Sequence, residues 1–251
     1  MRALAWNCRG LGQPRTIREL ADMVGNFRPM VIGLQETKMD GRYLEAVRRR
    51  LGFGCGFTVD RKGLAGGLAL WWKEDVDLHI ISYSSFHIDS YVVDEKDFRF
   101  RVTLFYGDPV AHKRKDSWEL LRFLNSQSNR PWVIFGDFNE VCFGWEVRGA
   151  RVRGEWQMKA FREVLFECGL TDLGFKGCPF TFSNKRRGKL EVKARLDRVL
   201  ANAEWRSAFP SAQVSHITTC TSDHYLMALD FRSSGRKHKS RLFKFEPMWL
   251  R

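Results

Sequence analysis

An apolar run that ends in a polar pair constrains this chain more than any other feature. Residues 132–135 read Trp-Val-Ile-Phe between a proline and a glycine. The run is too short for a helix and predicts a strand that is buried on both faces. Asp137 and Asn139 follow, and on a continuing strand both point to one side while Phe138 points into the core. Polar pairs at strand ends often mark the sites of α/β proteins, but a capping Asp and a turn Asn would give the same pattern.

The composition indicates a folded protein with an anionic partner. Of the 251 residues, 44% are hydrophobic and 14% are aromatic, which excludes a disordered chain. The formal net charge of +13 favours nucleic acid as the partner, with a generally basic surface as the alternative. No apolar run is long enough to cross a bilayer, so no membrane partner is expected.

The cysteines and the C-terminal composition bear on the compartment and the domain organisation. Six cysteines are scattered without a C-x-x-C pair, and no signal peptide is visible, so we expect reduced thiols and no zinc framework. The chain turns polar and basic from residue 233. We therefore expect one domain over residues 1–232 and a basic tail over residues 233–251.

The order of the remaining patterns predicts a mixed α/β (α+β) fold. Helices are expected at residues 14–27, 41–51, 118–124 and 156–168, where apolar residues recur at helical spacing. Strands are expected at residues 2–7, 30–34, 66–72, 76–83, 88–93, 98–106, 180–184, 194–200, 212–217 and 226–231. The four strands between residues 66 and 106 predict a meander, because short polar turns join them. Segregated helices and mixed strands favour a sandwich over a parallel barrel.

Eight polar side chains stand where the predicted strands stop. They are Asn7, Glu36, Tyr106, Asp137, Asn139, Asp197, Asp223 and His224. Each alone is compatible with a structural role, such as a turn residue, a helix cap or the partner of a nearby arginine. Because six strand ends deliver oxygen ligands, a phenol and a histidine, we expect the set to share one cleft.

The chemistry of this set favours a hard cation and a phosphate ester. Carboxylates and carboxamides without thiolates, and with a single histidine, suit Mg²⁺ or Mn²⁺ better than zinc. A second carboxylate near such an ion can orient or deprotonate the attacking water. A histidine backed by an aspartate can donate to a phosphate oxygen as charge accumulates there. Together these parts predict a phosphodiesterase.

Six motifs, in the same order along the chain as in a known superfamily, carry a resemblance. They are Trp6-Asn7-Cys8-Arg9-Gly10, Leu34-Gln35-Glu36-Thr37, Phe105-Tyr106-Gly107, Gly136-Asp137-Phe138-Asn139, Arg195-Leu196-Asp197 and Ser222-Asp223-His224. With them the chain resembles the endonuclease/exonuclease/phosphatase superfamily over almost its whole length. A single triplet such as Ser-Asp-His is a weak signal, whereas the ordered set is specific.

Further segments resemble the endonuclease domain of plant non-LTR (LINE-type) retrotransposons. They are Trp6-Asn7-Cys8-Arg9-Gly10-Leu11-Gly12, Phe105-Tyr106-Gly107-Asp108-Pro109, Gln157-Met158 with Ala160-Phe161-Arg162, Phe180-Thr181-Phe182-Ser183-Asn184 and Arg195-Leu196-Asp197-Arg198-Val199-Leu200. The segment Phe243-Lys244-Phe245-Glu246-Pro247-Met248-Trp249 is similar to the connector before the reverse transcriptase in those polyproteins. A full-length parent would therefore carry a reverse transcriptase domain.

The resemblance implies a DNase I-like fold, a four-layer α-β-β-α sandwich of two mixed sheets flanked by helices. It makes Glu36 the main ligand of Mg²⁺ (or Mn²⁺), with Asn7 assisting and Asp223 near the metal. It implies that Asp137 positions and activates the attacking water and that Asn139 holds that water or the phosphate. His224, oriented by Asp197, stabilises the phosphate, and Tyr106 contacts it. The implied activity is a monomeric, nuclear DNA endonuclease that leaves a 3′-hydroxyl and a 5′-phosphate.

One departure and two basic loops refine the expected substrate. Repair relatives that act on abasic sites typically show Trp-Arg-Leu-Asp-Tyr, whereas residues 194–198 read Ala-Arg-Leu-Asp-Arg, which argues against an abasic pocket. Loops at two places in the family flank DNA, and solvated turns are the alternative reading for each residue. The candidate DNA-binding residues in these loops are Arg148, Arg151, Arg153, Asn184, Lys185, Arg186 and Arg187.

Two other functions compete with the DNA endonuclease. A phosphatase of the same superfamily, acting on inositol phosphates or a phospholipid, would use the same chemistry. A transposon relic that binds nucleic acid without cutting it is the other alternative. The basic charge and the retrotransposon-like segments favour the endonuclease over the first, and the complete set of catalytic residue types favours it over the second.

Overall fold

The computed structural model describes residues 1–61, 63, 65–149, 153–186 and 188–231, without the side chain of Lys189. The α-helices of these residues are Pro14–Phe27 (α1), Gly41–Arg50 (α2), Arg114–Ser126 (α3), Glu155–Glu167 (α4) and Ala203–Ala208 (α5). Short 3-10 helices are Ala111–Lys113, Gly144–Glu146 and Gly188–Leu190. The first eight strands are Arg2–Asn7 (β1), Val31–Gln35 (β2), Cys55–Val59 (β3), Leu68–Trp72 (β4), Asp77–Ser84 (β5), His87–Val93 (β6), Arg99–Tyr106 (β7) and Trp132–Asp137 (β8). The others are Val147–Arg148 (β9), Thr171–Asp172 (β10), Lys176–Gly177 (β11), Phe182–Ser183 (β12), Lys193–Ala194 (β13), Asp197–Ala201 (β14), Gln213–Ile217 (β15) and Leu226–Asp230 (β16).

Two large mixed sheets form the centre of the protein. One has seven strands in the order β11-β15-β16-β1-β2-β4-β3, and the other has six in the order β10-β14-β8-β7-β6-β5. Each is mixed, because β1 pairs with β2 and β7 pairs with β8 in parallel, while β16 and β14 pair antiparallel with β1 and β8. A small third sheet has the order β12-β13-β9.

The strand β8 shows how the layers stack. Val133 and Phe135 pack into the core between the two sheets, whereas Trp132 and Ile134 pack against helices α3 and α4 on the outside. The strand is therefore buried on both faces, as its continuous apolar run predicts. On the other sheet, α1 and α2 cover the outer face through residues such as Leu20 and Leu44. The result is the predicted four-layer α-β-β-α sandwich.

Three predictions about the elements are wrong in detail. The strand β4 does not continue a meander with β5, because it pairs with β2 and β3 in the seven-stranded sheet. The meander consists of β5, β6 and β7 alone. Residues 194–200 form parts of two strands, β13 and β14, that belong to different sheets. The strand β3 and the helix α5 were not predicted.

Other expectations concern the membrane, the cysteines and the tail. No helix among the described residues is long and apolar enough to cross a membrane. All six cysteines are free. Residues 233–251, Arg151 and Arg187 lie outside the described residues, so the boundary of the tail stays a prediction.

Candidate active site

The strand register brings the predicted polar residues to one edge of the sandwich. Tyr106 on β7 is the parallel partner of Asp137 on β8, and Asp137 is the antiparallel partner of Asp197 on β14. In the other sheet, Asn7 ends β1 beside the last residue of β2, and Glu36 follows directly. Asn7, Tyr106 and Asp137 thus reach the site from the last residue of a strand. Asp197 is instead the first residue of the antiparallel β14, so the prediction that it stands where a strand stops is wrong.

Gly136 allows β7 and β8 to approach closely beside the site. Its φ is +142°, and a Cβ at this position would lie 2.1 Å from the backbone oxygen of Phe105. A side chain would therefore collide with the neighbouring strand at a backbone angle that favours glycine. This close approach sets the position of Asp137, the next residue.

Asn7 joins the two sheets. Its fully buried amide donates to Oδ2 of Asp137 at 2.9 Å and to Oε1 of Glu36 at 3.2 Å. The hydroxyl of Ser222 donates to the backbone oxygen of Asn7 at 2.7 Å and so ties in the segment that carries His224. The site therefore lies where the two sheets meet.

Glu36 is held as an anion by four donors. Oε1 accepts from the Tyr106 hydroxyl at 2.9 Å and from Arg9 at 3.2 Å, besides Asn7, while Oε2 pairs with Nζ of Lys38 at 3.1 Å. Burial alone would raise the pKa of this carboxyl, but the charge of Arg9 and the hydrogen bonds from Lys38, Tyr106 and Asn7 lower it to about 2. Glu36 is therefore ionised at every physiological pH.

Arg9 is a site residue that the sequence reasoning did not single out. Its guanidinium bridges two carboxylates, Glu36 on one side and Asp223 at 3.3 Å on the other. Arg9, Glu36 and Lys38 all have left-handed backbone angles, with φ of +53°, +50° and +54°. Such conformations cost free energy in non-glycine residues and cluster at functional sites. The only sequence signal for Arg9 is its place two residues after Asn7.

Asp137, Asp197 and His224 form a buried cluster. Nδ1 of His224 donates to Oδ2 of Asp197 at 2.9 Å, and its Nε2 lies 3.7 Å from Oδ2 of Asp137. One ligand atom from each of the three lies within 4.8 Å of the others. The arrangement fixes which imidazole nitrogen carries the inner hydrogen bond and points the other nitrogen at Asp137.

The environment of this cluster raises the pKa values of His224 and Asp137. Burial lowers the pKa of His224, but the carboxylates of Asp197 and Asp137 outweigh it and raise the pKa to about 9. Burial and the charge of Asp197 raise the pKa of Asp137 to about 6, against the opposing effect of His224. At neutral pH the site thus holds a protonated histidine beside a basic carboxylate.

Asn139 reaches the site by a route other than the predicted one. The strand β8 ends at Asp137, and Asn139 has a left-handed φ of +55°, so the predicted strand alternation is wrong. Its backbone N–H donates to Oδ1 of Asp137 and its side chain donates to the oxygen of Gly107, both at 2.8 Å. A turn therefore fixes both residues. Phe138 is fully buried, as predicted, and stacks on Phe105.

Thr181 holds the backbone at Asp197, the partner of His224, and was not predicted. Its hydroxyl oxygen accepts from the backbone N–H groups of Leu196 at 3.0 Å and Asp197 at 2.9 Å. The next residue, Phe182, places its ring 5.2 Å from that of His224. The short sheet that contains Phe182 therefore forms a wall of the site.

The donor set fits a hard divalent cation. Glu36 and Asp223 offer carboxylate oxygens on the two sides of Arg9, and Asn7 offers an amide oxygen, which together are the ligand chemistry of Mg²⁺ and Mn²⁺. Cys8, the thiol beside Glu36, is not a competing ligand, because burial raises its pKa to about 12 and keeps it protonated. A cation bound to Glu36 would share that carboxylate with Arg9 and Lys38.

Comparison with family models decides the family. Residues 4–224 match the model of the Endonuclease/Exonuclease/phosphatase family. The chain belongs to this family. The match covers every motif from the end of β1 to His224, and it confirms the superfamily that the ordered motifs predict.

Solved structures share the fold at low sequence identity. The endonuclease domain of TRAS1, a telomere-specific non-LTR retrotransposon, superposes with a TM-score of 0.70 at 17% identity and covers 93% of this chain and 99% of its own. The 3′ phosphatase NExo from Neisseria, bound to a product DNA hairpin, gives 0.72 at 17%, covering 93% and 100%. An AP endonuclease from Archaeoglobus fulgidus gives 0.70 at 18%, covering 93% and 100%. No curated protein sequence matched the chain.

The first basic loop of this family member leaves Arg148 exposed on β9. Arg153 is half-buried and pairs with Glu140 across 3.7 Å. Glu140 itself is buried and bound to Arg114 of helix α3 at 2.7 Å. Arg151 lies outside the described residues. Of the two arginines of this loop that the structure describes, Arg148 is the more exposed.

In the second basic loop, two of the candidate DNA-binding residues make hydrogen bonds within the protein. The Asn184 side chain donates to the oxygen of Leu190 and accepts from two backbone N–H groups, so it shapes the loop. Nζ of Lys185 donates to the oxygen of Cys220 at 2.7 Å. Arg186 is exposed, and Arg187 lies outside the described residues.

Proposed function

We propose that this protein is a divalent-metal-dependent DNA endonuclease that nicks one strand and leaves a 3′-hydroxyl and a 5′-phosphate. The buried Asp137–His224–Asp197 cluster carries the proposal, because it sets a base and a protonated acid side by side next to an ionised Glu36. Family membership supports phosphodiesterase chemistry in general, and the charge of +13 favours a polyanionic substrate.

Asp137 is proposed to orient the attacking water and take its proton. Its pKa of about 6 makes it a stronger base than an ordinary aspartate while leaving it ionised at neutral pH. The N–H of Asn139 binds Oδ1 and the amide of Asn7 binds Oδ2, so the carboxylate cannot rotate. A fixed base holds the water in line with the scissile bond and so lowers the entropic part of the barrier.

His224 is proposed to donate from Nε2 to an oxygen of the scissile phosphate. Asp197 holds the other nitrogen, which fixes the ring and favours the imidazolium form. Negative charge that develops on the phosphate therefore meets a preorganised donor. Burial raises the pKa of Tyr106 and keeps the phenol protonated, so its hydroxyl becomes a second donor to the phosphate when it turns away from Glu36.

Glu36 and Asn7 are proposed to hold Mg²⁺ or Mn²⁺, with Asp223 near it. The ion would supply a Lewis acid that polarises the phosphate and neutralises charge in the transition state. The donors around Glu36 keep this carboxylate ionised before the metal arrives, so no proton has to leave when the metal binds.

A non-LTR retrotransposon is the proposed origin. The motifs of residues 6–12 and 180–184 support it, and the fold of the TRAS1 endonuclease domain is compatible with it. In that setting the new 3′-hydroxyl would prime DNA synthesis by the reverse transcriptase domain of the full-length parent. Nuclear residence and a monomeric state are proposed along with this role.

The test is the nicking of supercoiled plasmid with Mg²⁺. Wild-type protein should convert plasmid to open circles, EDTA should stop the reaction, and Asp137→Ala should abolish it. Asp116→Ala, a change on the exposed start of α3, is the matched control and should nick at the wild-type rate. A DNA polymerase should extend the nick directly, because the expected product carries a free 3′-hydroxyl.

Other outcomes would point to the alternative functions. Release of phosphate from inositol phosphates, or of the headgroup from a phospholipid, with the plasmid left intact would favour the phosphatase. Salt-sensitive DNA binding without cleavage at any metal concentration would favour the relic. Nicking that survives Asp137→Ala unchanged would contradict the assignment of the base.

A further inference from the structure

Two aromatic rings stand exposed next to the site. Phe143 and Trp145, on the turn after β8, are 45% and 66% exposed, and their rings stack in parallel with centroids 5.6 Å apart and an interplanar angle of 9°. We refer to this pair as the aromatic platform. Trp145 covers one face of the Phe143 ring, and because Trp145 is the more exposed of the two, its outer face is offered to a flat ligand.

A buried carboxylate holds the turn that carries the aromatic platform. Oε2 of Glu146 accepts from the backbone N–H groups of Cys142 at 2.6 Å and Phe143 at 3.3 Å. Glu146 is 1% exposed, and its charge is balanced by Arg195 at 3.3 Å and by Arg198. The guanidinium of Arg162 lies 5.4 Å from the centroid of the Phe143 ring. Breaking these ion pairs would leave an uncompensated buried charge, so this turn is fixed before any ligand arrives.

The aromatic platform lies at the same edge of the sandwich as the catalytic cluster. The backbone N–H of Arg195 donates to the oxygen of Glu146 at 3.0 Å, and Arg195 is two residues from Asp197. Directly after the turn, β9 pairs with β13, which pairs with β12, whose Phe182 touches His224. Two strand spacings of about 5 Å each therefore separate β9 from the wall of the site.

The surroundings favour a ligand that is both flat and anionic. Arg148 follows the aromatic platform on β9 and is exposed, and the guanidinium of Arg162 lies beside the Phe143 ring. Alternating aromatic rings and basic side chains are the combination by which proteins bind single-stranded nucleic acid. An apolar protein partner would not require the arginines.

We propose that the aromatic platform is a stacking subsite for an unpaired nucleobase of the DNA, close to the phosphate that is cut. The inference rests on the proposed function. It predicts that the protein prefers DNA whose bases are locally unpaired near the nick, because a paired base cannot leave its stack without cost.

The experiment compares two fluorescein-labelled duplexes in EDTA, one fully paired and one with a short unpaired bubble, by fluorescence anisotropy. The double variant Phe143→Ala/Trp145→Ala should weaken binding of the bubble duplex about 10- to 100-fold, the range expected for loss of base stacking, and should change binding of the paired duplex little. Because electrostatic contacts remain, the salt dependence should stay that of the wild type. Trp145→Phe, which keeps a ring, should bind the bubble duplex nearly as well as the wild type.

Two controls separate stacking from other roles. Phe143→Leu/Trp145→Leu keeps apolar bulk without rings and should resemble the alanine variant. Phe166→Ala removes an aromatic that is 87% exposed at the far end of α4 and should bind both duplexes like the wild type. Equal weakening of both duplexes, or leucine variants that bind like the wild type, would overturn the stacking subsite.

The outcome also distinguishes this inference from the proposed function. If the wild type binds and nicks DNA but the alanine variant binds the bubble duplex unchanged, only the stacking subsite fails. If the wild type neither nicks plasmid nor binds either duplex, both proposals fail together.

Discussion

Replacing Asp197 by Asn tests how the site uses its buried histidine. The change keeps the size of a side chain that is 1% exposed and removes the charge 2.9 Å from Nδ1 of His224. Thr181 still accepts from the backbone N–H groups of Leu196 and residue 197, so the strand should keep its position. The variant therefore isolates the electrostatic part of the pair.

The expected loss of activity has two parts. Asp197 is the largest influence that raises the pKa of His224 to about 9, so this pKa should fall toward the ordinary value of about 6.5. At about pH 7.5 the protonated fraction would then drop from nearly all to about one tenth. An Asn side chain can also turn its NH2 group toward Nδ1, which then has no acceptor, and the imidazole ring is no longer held in one orientation. Together these effects should slow nicking by about 10²- to 10⁴-fold.

Plasmid nicking across pH and NMR titration of the imidazole measure the two parts separately. The pH optimum of the variant should move to lower pH, because His224 must be protonated and because Asp137 loses a repulsive neighbour, which lowers its pKa. Asp89→Asn, a change in an equally buried aspartate paired with Arg101, should reduce stability and leave the pKa of His224 unchanged. A nicking rate within about threefold of the wild type, or an unshifted titration, would refute the reasoning.

Three further predictions concern other parts of the structure. Gly136→Ala should lower the free energy of unfolding in urea by about 3 kcal/mol or more, because a Cβ would lie 2.1 Å from a carbonyl oxygen of β7 at a φ of +142°; a loss below about 1 kcal/mol would contradict this close approach. Glu140→Gln should cost about 3–5 kcal/mol in the same assay, because Arg114 loses its buried partner, while the folded variant nicks at the wild-type rate. With wild-type protein, nicking should rise with pH as Asp137 loses its proton at about pH 6 and fall as His224 loses its proton at about pH 9. A pH–rate profile without an optimum between these values would argue against the two roles.

The order of strands and their polar ends could be predicted from the sequence because both are local properties. The apolar run of β8 is continuous, so its burial on both faces is readable from residues 132–135 alone. The polar residues after the parallel strands β1, β2, β7 and β8 lie at one edge, and Asp197 and His224 reach the same edge because they stand at the start of antiparallel strands. What the register adds is the pairing of Asp137 with Tyr106 on one side and Asp197 on the other.

Features that depend on the third dimension could not be predicted. Arg9 and Glu36 follow different strands and meet only because β1 and β2 pair in parallel, so the local sequence around Glu36 does not mark Arg9 as its partner. Thr181 acts through its hydroxyl on a strand that is distant in sequence. The pairing of β4 with β2 instead of β5 follows from the division of strands between two sheets, which alternation alone does not encode.

Two elements were missed although weak signals exist. The helix α5 has only six residues, too few for a periodic pattern, but Asn202 is a favourable N-cap and accepts from the N–H of Trp205. The strand β3 contains a glycine and alternates poorly, because it lies at the edge of its sheet. Asn139 shows the opposite case, in which the residue is correctly grouped with Asp137 but for the wrong geometric reason.

The ion pairs of Glu146 make the spacing within the substrate a property of the fold. Arg195 and Arg198 flank Asp197 in sequence and both bind Glu146, so the turn with the aromatic platform and the strand that orients His224 move as one body. A base held on the rings and the phosphate held by the histidine would then be separated by a constant number of nucleotides. The protein would act as a molecular ruler, and cuts would fall at a set distance from the open base, whatever the surrounding sequence.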